Sequence, residues 1–404
     1  MKKFRILGII AIIAILANFI GGLDEDWKDF KKGFEEGQSG ATEMYESGHH
    51  MITRVKLNVK PLSGTTVDSL NNNHLNVGGP AMIRANGVLR EYPAFIKDTQ
   101  TTEMILSMVD ERLMEDFKQG KDLDFTYVSK GENRQRVNVY RQQDKLCAAI
   151  RIINNTILTL DELLMPDILK QLAMEPRGLV LVTGPTGSGK STTLAAVMDY
   201  INERRNCHIL TIEDPVEYVY QRKQALIHQR EIGRDVDSFD TALRSAMRED
   251  PDVILVGEMR DYETIAAVVT LAETGHLVFS TLHTIGAAKT IDRIIDVFPP
   301  HRQEQIRMQV SGILKAVITQ QLLPKRDGSG RIAALEVMIG TDAISSMIRE
   351  NKVHQINSII QTGMREGMQS LNFALARLVR NGMVTREVAE KYSDDPQELK
   401  QYLQ

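Results

Sequence analysis

The sequence predicts an α/β protein with a parallel-rich sheet, preceded by a small α+β domain and an N-terminal hydrophobic segment. After Thr156, strand-like and helix-like segments alternate strictly, which is typical of a parallel sheet covered on both faces. Between His74 and Ile153, short apolar segments surround one helical stretch. The 404 residues also exceed the roughly 250 to 300 at which a single core stops growing.

These observations divide the chain into four parts. Residues 1–23 form a candidate membrane anchor, and residues 24–70 a juxtamembrane segment with a linker. Residues 71–155 form the small domain, and residues 156–404 the sheet-containing core with C-terminal helices. The joint between the last two falls at an Asn-Asn-Thr stretch.

The run from Ile6 to Leu23 is apolar and follows a basic start. Its 18 residues lie at the short end of the roughly 17 to 25 that span a bilayer. Three interpretations stay open: a membrane anchor, a cleaved signal peptide, and an artefact of gene fusion or start-site assignment. The anchor is favoured because no clear A-x-A cleavage site precedes Asp24. Basic residues flank both ends, so their count does not orient the segment.

The next segments carry weaker patterns. Residues 24–38 place three aromatic side chains at helical spacing, which predicts a short amphipathic helix. From there to Asn73 the sequence is interpreted mainly as a Ser, Gly and Asn-rich linker, with one strand-like alternation at Ile52 to Val59. In the small domain we expect strands at MIRANG, FTYVS, RVNVYRQ and CAAIRII and a helix near Thr102 to Lys118.

Charge and cysteine content exclude several functions. A formal net charge of −4 and a pI near 6.2 leave no general excess of Lys and Arg to neutralise a phosphate backbone, so direct nucleic-acid binding is disfavoured. Only Cys147 and Cys207 are present, without a CxxC pair. This excludes a four-cysteine zinc module and indicates a reducing compartment.

The strongest motif is GPTGSGKST, which follows the apolar strand Leu179 to Thr183 and opens a helix at Lys190. In the pattern GxxxxGK[ST], backbone N–H groups curl around a β-phosphate, the lysine reaches the β and γ oxygens, and the Ser191 hydroxyl takes a Mg²⁺ position. The sequence therefore predicts an ATP site. The residues that we expect to contact the nucleotide are Gly184, Thr186, Gly187, Ser188, Gly189, Lys190, Ser191 and Thr192.

Two further strands end in acids. Val253 to Val256 is followed by Gly257 and Glu258, the hhhhGE form in which an acid approaches Mg²⁺ or the attacking water. The strand His208 to Ile212 lies at the start of the motif ILTIEDPVEY, in which Pro215 ends the strand. We expect its three carboxylates to point outward from the strand tip, at the edge where ligands bind: Glu213, Asp214 and Glu217.

Histidines bracket a fourth strand, Leu277 to Thr281. His283 follows the carboxyl end, where a sensor of the γ-phosphate belongs, and His276 precedes the strand. A motor that binds ATP between subunits also needs an arginine that crosses an interface. The arginines that we consider for this role are Arg134, Arg136, Arg244, Arg248 and Arg260.

Four motifs, GPTGSGKST, ILTIEDPVEY, ALRSAMREDPDVILVGEMRD and TGHLVFSTLHT, resemble in this order the secretion-ATPase superfamily, most closely its type IV pilus retraction ATPases. The similarity continues through VFPPHRQEQIRMQVSGILKAVITQQLLP and GMQSLNFALARLV, so it covers His74 to the C-terminus. The resemblance implies a RecA-like core, a PAS-like domain around RVNVYRQ, a homo-hexameric ring with nucleotide between the two domains, and a pilus as the load.

The resemblance also implies roles and partners. Glu213 would be the general base, Glu258 the Walker B acid and His283 the γ-phosphate contact, while Arg134 and Arg136 would bring positive charge from the small domain. The partner would be an inner-membrane pilus platform protein, which places the chain at the cytoplasmic face of the inner membrane. Membrane association is expected from the N-terminal segment, and the net charge disfavours direct contact to nucleic acid.

This chain departs from the family pattern in three places. The usual SDLHL entry to the small domain is NNNHL, the usual AIRNLIRE is AISSMIRE with Ser345 and Ser346, and residues 1 to 70 have no recognised counterpart. The second departure bears on retraction itself, not on ATP hydrolysis. The alternatives left open are a secretion or DNA-uptake motor, a hexameric helicase, and a nucleotide-binding scaffold that does not hydrolyse ATP.

Overall fold

A computed structural model of the protein describes residues 45–47, 50–52, 70–85, 88–91, 97–128, 134–153 and 156–404. The chain divides into two compact units, Met1–Asn155 and Thr156–Gln404. The amphipathic helix expected at residues 24–38 and the strand-like alternation after Ile52 lie outside the described residues.

The first unit contains a short antiparallel pair and a six-stranded antiparallel sheet in the order β5-β4-β3-β8-β7-β6. The strands are β1 (Tyr45–Ser47), β2 (His50–Ile52), β3 (Leu70–Asn76), β4 (Met82–Ala85), β5 (Val88–Glu91), β6 (Leu123–Val128), β7 (Arg134–Gln142) and β8 (Lys145–Ile152). Helices α1 (Asp98–Met108) and α2 (Glu111–Lys118) complete it. Its core joins Ile105 of α1 to Val137, Val139 and Ile150 of the sheet.

Two expectations for this unit were wrong. The end of the stretch interpreted as linker, Leu70 to Asn73, belongs to strand β3, because pairing with β4 and β8 on both sides outweighs the low strand propensity of Asn. The single helix near Thr102 to Lys118 is two helices. The break comes at Asp110, whose carboxylate accepts the Arg112 N–H at 3.1 Å and so caps the second helix.

The second unit contains a seven-stranded sheet in the order β11-β10-β12-β13-β9-β14-β15. Its strands are β9 (Gly178–Thr183), β10 (His208–Glu213), β11 (Leu226–Glu231), β12 (Val253–Val256), β13 (Leu277–Leu282), β14 (Leu314–Pro324) and β15 (Arg331–Ile339). Strands β9 to β14 pair in parallel, and β15 pairs antiparallel to β14. The sequence-based prediction of an α/β protein with a parallel-rich sheet is therefore confirmed.

Helices cover both faces of this sheet and form the C-terminal region. They are α3 (Ile168–Ala173), α4 (Lys190–Arg204), α5 (Phe239–Ala246), α6 (Tyr262–Glu273), α7 (Ala287–Asp296), α8 (Pro300–Ile313), α9 (Asp342–Arg349), α10 (Ile356–Thr362), α11 (Leu371–Arg380), α12 (Arg386–Tyr392) and α13 (Pro396–Leu403). The prediction that strands and helices alternate strictly was wrong, because, within the described residues 156–404, no helix lies between β10 and β11 or between β14 and β15.

Strand β9 shows why continuous apolar runs form the centre of the sheet. Leu179 and Leu181 point into the core on one face, while Val180 and Val182 point into the core on the other. Such a strand needs apolar residues at every position, since side chains alternate between two covered faces. Because the strands are parallel, the carboxyl ends of β9, β10, β12 and β13 lie along one edge of the sheet.

Across the described residues, no helix combines the length and the apolar character needed to cross a membrane. The candidate anchor at residues 1–23 lies outside those residues.

Candidate active site

The loop after β9 has the geometry of a phosphate-binding loop. Strand β9 ends at Thr183, the loop runs from Gly184 to Gly189, and α4 begins at Lys190. Gly184 has a φ of 136°, and a Cβ there would overlap the Gln320 carbonyl oxygen and lie 2.9 Å from Ser188 Oγ. Only glycine fits this position. The loop therefore presents backbone N–H groups at a helix N-terminus, where anions bind.

Lys190 lies over this loop. Its Nζ donates to the carbonyl oxygens of Gly184 at 2.9 Å and Pro185 at 3.2 Å. Burial lowers the pKa of Lys190, while the negative charges of Glu258 and Glu217 act in the opposite direction. The ammonium group is thus held next to the backbone that would surround a β-phosphate.

His283 joins this lysine to Glu258. Its Nδ1 lies 3.5 Å from Lys190 Nζ, and its Nε2 lies 3.0 Å from Glu258 Oε1. An ammonium group can only donate, so Nδ1 is the acceptor and the ring proton lies on Nε2, where it donates to the carboxylate. The order Lys190, His283, Glu258 forms one continuous polar chain across the ends of β9, β13 and β12.

Arg260 extends this chain to the surface. Its Nη2 lies 2.8 Å from Glu258 Oε2, and 71% of its side chain is exposed. Burial by itself raises the pKa of Glu258, but Arg260 and His283 outweigh it and hold that pKa below its ordinary value. Glu258 is therefore an ionised carboxylate paired with Arg260, and the exposed Arg260 side chain can be reached by ligands from solvent.

Glu213 differs from the expected outward orientation. It is the last residue of β10, and its Oε1 is buried without a hydrogen-bond partner among the residues that the structure describes. Burial, to which the negative charge of Glu217 adds, raises the pKa of Glu213 to about 7. Asp214 is exposed as expected, and Glu217 is half-buried. A carboxylate with a pKa near neutrality at this edge has the property of a general base.

The hydroxyls at the start of α4 have different surroundings. Ser191 is exposed in the first turn, whereas Thr192 Oγ1 lies 2.9 Å from the Tyr218 hydroxyl. Ser188 Oγ is buried within the loop and has no partner in the described part of the chain. Ser191 is therefore accessible from solvent at the start of α4, and the contact with Tyr218 joins Thr192 to the segment that follows Glu213.

The structure also shows a support that sequence reasoning missed. Gln320 of β14 lies under the loop, fully buried. Its Nε2 donates to the Ser188 carbonyl at 2.7 Å, and its Oε1 accepts from Thr193 Oγ1 at 2.7 Å. The signal was a pair of glutamines inside an otherwise apolar strand, ITQQLL. At the loop tip, the Arg331 guanidinium contacts the Gly187 carbonyl at 3.4 Å.

Other residues considered from the sequence lie away from this edge. His276 precedes β13 at the opposite end of the sheet, where its Nδ1 contacts the Leu271 carbonyl at 2.8 Å. Arg244 pairs with Asp240 one turn away on α5, and Arg248 is exposed.

In the first unit, Arg136 Nη2 lies 2.6 Å from Asp124 Oδ2 across β6 and β7. Arg134, which begins β7, is buried.

A parallel sheet whose strand ends bring together a phosphate-binding loop, its lysine, two acids and a histidine defines a P-loop ATPase. The sequence profile described as "Type II/IV secretion system protein" matches residues 128–329. The type IV pilus retraction ATPase PilT of Pseudomonas aeruginosa is 49% identical over 326 residues, 80% of this chain and 94% of that protein. A twitching motility protein of Neisseria gonorrhoeae is 48% identical over 320 residues, 79% of this chain and 85% of that protein.

A solved structure agrees with these relatives. The crystal structure of the pilus retraction motor PilT with bound ADP superposes with a TM-score of 0.76 at 43% identity, covering 82% of this chain and 95% of that one. The chain therefore belongs to the type II/IV secretion system protein family, and within it to the type IV pilus retraction ATPases. The resemblance inferred from the sequence motifs is confirmed.

Proposed function

We propose that this ATPase powers the retraction of a type IV pilus by coupling ATP hydrolysis to the removal of pilin subunits. The observation that carries the proposal is the continuous chain Lys190, His283 and Glu258 at the phosphate-binding loop, in a protein 49% identical to a pilus retraction ATPase. Hydrolysis needs little covalent chemistry from the protein, so placed charges at the phosphates are the main requirement.

The site residues have distinct proposed roles. Lys190 and the loop N–H groups bind the β and γ phosphates, and His283 contacts the γ-phosphate by donating a ring N–H to it. Glu213 takes the proton from the attacking water, since its raised pKa makes it a base near neutral pH. Glu258 is the Walker B acid.

The donor set suits a Mg²⁺ ion. The Ser191 hydroxyl is exposed in the first turn of α4, and Glu258 is an ionised carboxylate, so both offer the oxygen ligands that Mg²⁺ prefers. Ser191 and Glu258 would hold the ion together with phosphate oxygens. When bound, the ion supplies neutralisation of charge on the β and γ phosphates.

Several finer assignments go with this function. We infer that the first unit is a PAS-like domain, that the second is a RecA-like core, and that the chain assembles into a homo-hexamer. It would act at the cytoplasmic face of the inner membrane on a pilus platform protein, with residues 1–23 as a candidate anchor. One arginine would reach the γ-phosphate of a neighbouring subunit; the five considered are Arg134, Arg136, Arg244, Arg248 and Arg260.

ATP turnover by the purified full chain tests the enzymatic part. We expect hydrolysis that requires Mg²⁺ and is abolished in Lys190→Ala. The matched control is Lys315→Ala, because Lys315 pairs with Glu175 at 3.0 Å at the start of β14, at the other end of the sheet. Equal turnover by Lys190→Ala and the control would refute the assigned site.

Retraction needs a cellular assay. In a piliated strain that lacks its own retraction ATPase, we expect the wild-type gene to restore twitching motility and Lys190→Ala to leave the cells immotile. Restored export or DNA uptake without motility would instead favour the secretion or DNA-uptake alternative.

An arginine that crosses between subunits can be found by mixing variants. An Arg→Ala subunit and a Lys190→Ala subunit are each inactive alone, but a mixed ring contains interfaces at which both groups are intact. We expect partial recovery of turnover for the crossing arginine only.

A further inference from the structure

Strand β15 carries a buried acid, Glu336. Glu336 is 8% exposed and lies opposite Thr319 in the antiparallel pair of β15 with β14. Its Oε1 accepts the backbone N–H of Ala287 at 2.8 Å and lies 3.5 Å from Thr319 Oγ1. Burial raises the pKa of Glu336, while the Ala287 N–H bond lowers it. Burying a carboxylate costs free energy unless hydrogen bonds satisfy its oxygens. The contacts with Ala287 and Thr319 are the ones that offset this cost for Glu336.

The contact with Ala287 fixes the start of a helix. Helix α7 begins at Ala287, and the preceding Gly286 has no side chain with which to cap it. The first N–H groups of a helix need acceptors, and an acid there also interacts favourably with the helix dipole. Glu336 therefore does from a distant strand what a local Ser, Thr or Asp does at most helix starts.

The helix start is joined to His283 by a short, internally bonded segment. Thr284 Oγ1 lies 2.7 Å from Thr290 Oγ1, and Thr290 Oγ1 donates to the Gly286 carbonyl at 2.9 Å. Only three residues separate His283 from Ala287. A shift of the α7 start would move the imidazole that lies between Lys190 and Glu258.

The other side of the same acid leads to the phosphate-binding loop. Thr319 Oγ1 lies 3.0 Å from Thr183 Oγ1, and Thr183 directly precedes Gly184. The path Thr183, Thr319, Glu336, Ala287 is a buried polar connection that runs beside the direct contact between Lys190 and His283.

We propose that Glu336 is a positioning residue that ties the α7 start to the P-loop strand and so holds His283 against Lys190 and Glu258. The inference rests on the proposed function of His283 in ATP hydrolysis. Glu336 does not touch the nucleotide phosphates in this role; it acts through the segment that carries His283.

Hydrogen exchange of the full chain without nucleotide tests the contact between Glu336 and the α7 start. In Glu336→Ala, we expect exchange at the Ala287 amide and across residues 283–290 to be at least about 10-fold faster than in wild type. Glu336→Gln should keep most of the protection, because an amide oxygen still accepts from Ala287. Unchanged exchange in Glu336→Ala would overturn the proposal. This measurement does not depend on catalysis, so it stands even if the chain proves not to hydrolyse ATP.

Kinetics tests the action through His283. A catalytic group misplaced by about 1 Å can cost on the order of 100-fold in rate. We therefore expect Glu336→Ala to lower kcat by about 10-fold to 100-fold and to change KM for ATP by less than about 3-fold. In a His283→Ala background, the same change should lower kcat by less than about 2-fold, because the group being positioned is gone. A full additional loss there would assign Glu336 a merely structural role and refute the inference.

A matched control separates positioning from loss of a helix cap. Asp395 caps α13 by accepting the Gln397 and Glu398 N–H groups at 2.9 and 3.1 Å. Asp395→Ala should speed exchange at the start of α13 and leave kcat within about 2-fold of wild type.

If Glu336→Ala does not fold, Glu336→Asp carries the same test, since its carboxylate is one methylene too short for Ala287. Wild-type kcat in a folded Glu336→Asp, together with wild-type exchange, would overturn the proposal.

Discussion

Glu213 combines a buried carboxylate with the proposed role of general base, and this combination predicts a pH dependence for both activity and stability. The perturbation is the change of pH, compared between wild type and Glu213→Gln, which keeps the shape of the side chain but cannot ionise. Asp214→Asn is the matched control, because Asp214 is the neighbouring acid but is exposed.

The magnitude follows from the pKa. Burial, with the charge of Glu217 adding to it, raises the pKa of Glu213 from 4.5 to about 7. Each pKa unit corresponds to about 1.4 kcal/mol, so keeping the group ionised in the folded protein costs about 3 kcal/mol. In the unfolded chain the same group ionises near its ordinary pKa.

Proton binding to Glu213 sets the sign of the pH dependence of stability. Between pH 4.5 and about 7 the folded protein holds a proton on Glu213 that the unfolded chain has released. The contribution of this group to stability therefore falls as pH rises through that window, and the full penalty is present above it. Glu213→Gln removes the penalty, so we expect this variant without nucleotide to be more stable than wild type at pH 8 by up to about 3 kcal/mol.

The activity changes in the opposite direction. A general base must be ionised, so kcat/KM of wild type should fall tenfold per pH unit below about pH 7, measured with Mg²⁺ in excess. Glu213→Gln should lose on the order of 100-fold to 10,000-fold in kcat. A flat wild-type profile from pH 5 to 8, or a Glu213→Gln variant that is no more stable than Asp214→Asn at pH 8, would refute the reasoning.

Three further predictions concern other parts of the molecule. Gln320→Ala removes two buried hydrogen bonds, one to Thr193 and one to a P-loop carbonyl. Chemical denaturation should therefore show a free energy of unfolding lower by about 2 kcal/mol, and a fluorescent ATP analogue should bind about 10-fold more weakly. Gln321→Ala is the neighbouring control, and equal effects of the two variants would contradict the role of Gln320. Asp124→Asn breaks a pair with Arg136 in which both side chains are over a third exposed, so the free energy of unfolding should change by less than about 1 kcal/mol, and a larger loss would show that the pair is more shielded than its exposure indicates. Chelation of Mg²⁺ should stop ATP turnover without unfolding the chain, since the oxygen donors are placed by the sheet, and loss of the circular dichroism signal on chelation would disprove this.

Much of the second unit could be predicted from sequence because its strands are buried on both faces. A strand in that environment needs a continuous apolar run, so Val253–Val256 was predicted with its observed bounds, and the P-loop placed the start of α4 at Lys190. Leu70–Asn76 could not be recognised in this way, because its strand conformation comes from two neighbouring strands and not from its own residues.

The sequence by itself determined the chemistry: the loop that binds phosphates, its lysine, and the acids and histidine at strand ends follow from local patterns and from the rule that parallel strands end at one edge. Only the tertiary structure decided how these groups are tuned and held. Glu213 gains its raised pKa from burial by surrounding segments, and Gln320 and Glu336 reach the loop and the α7 start from strands 132 and 49 residues away in sequence. Burial and contacts of this kind depend on which surfaces pack together, and no local pattern of residue types specifies that.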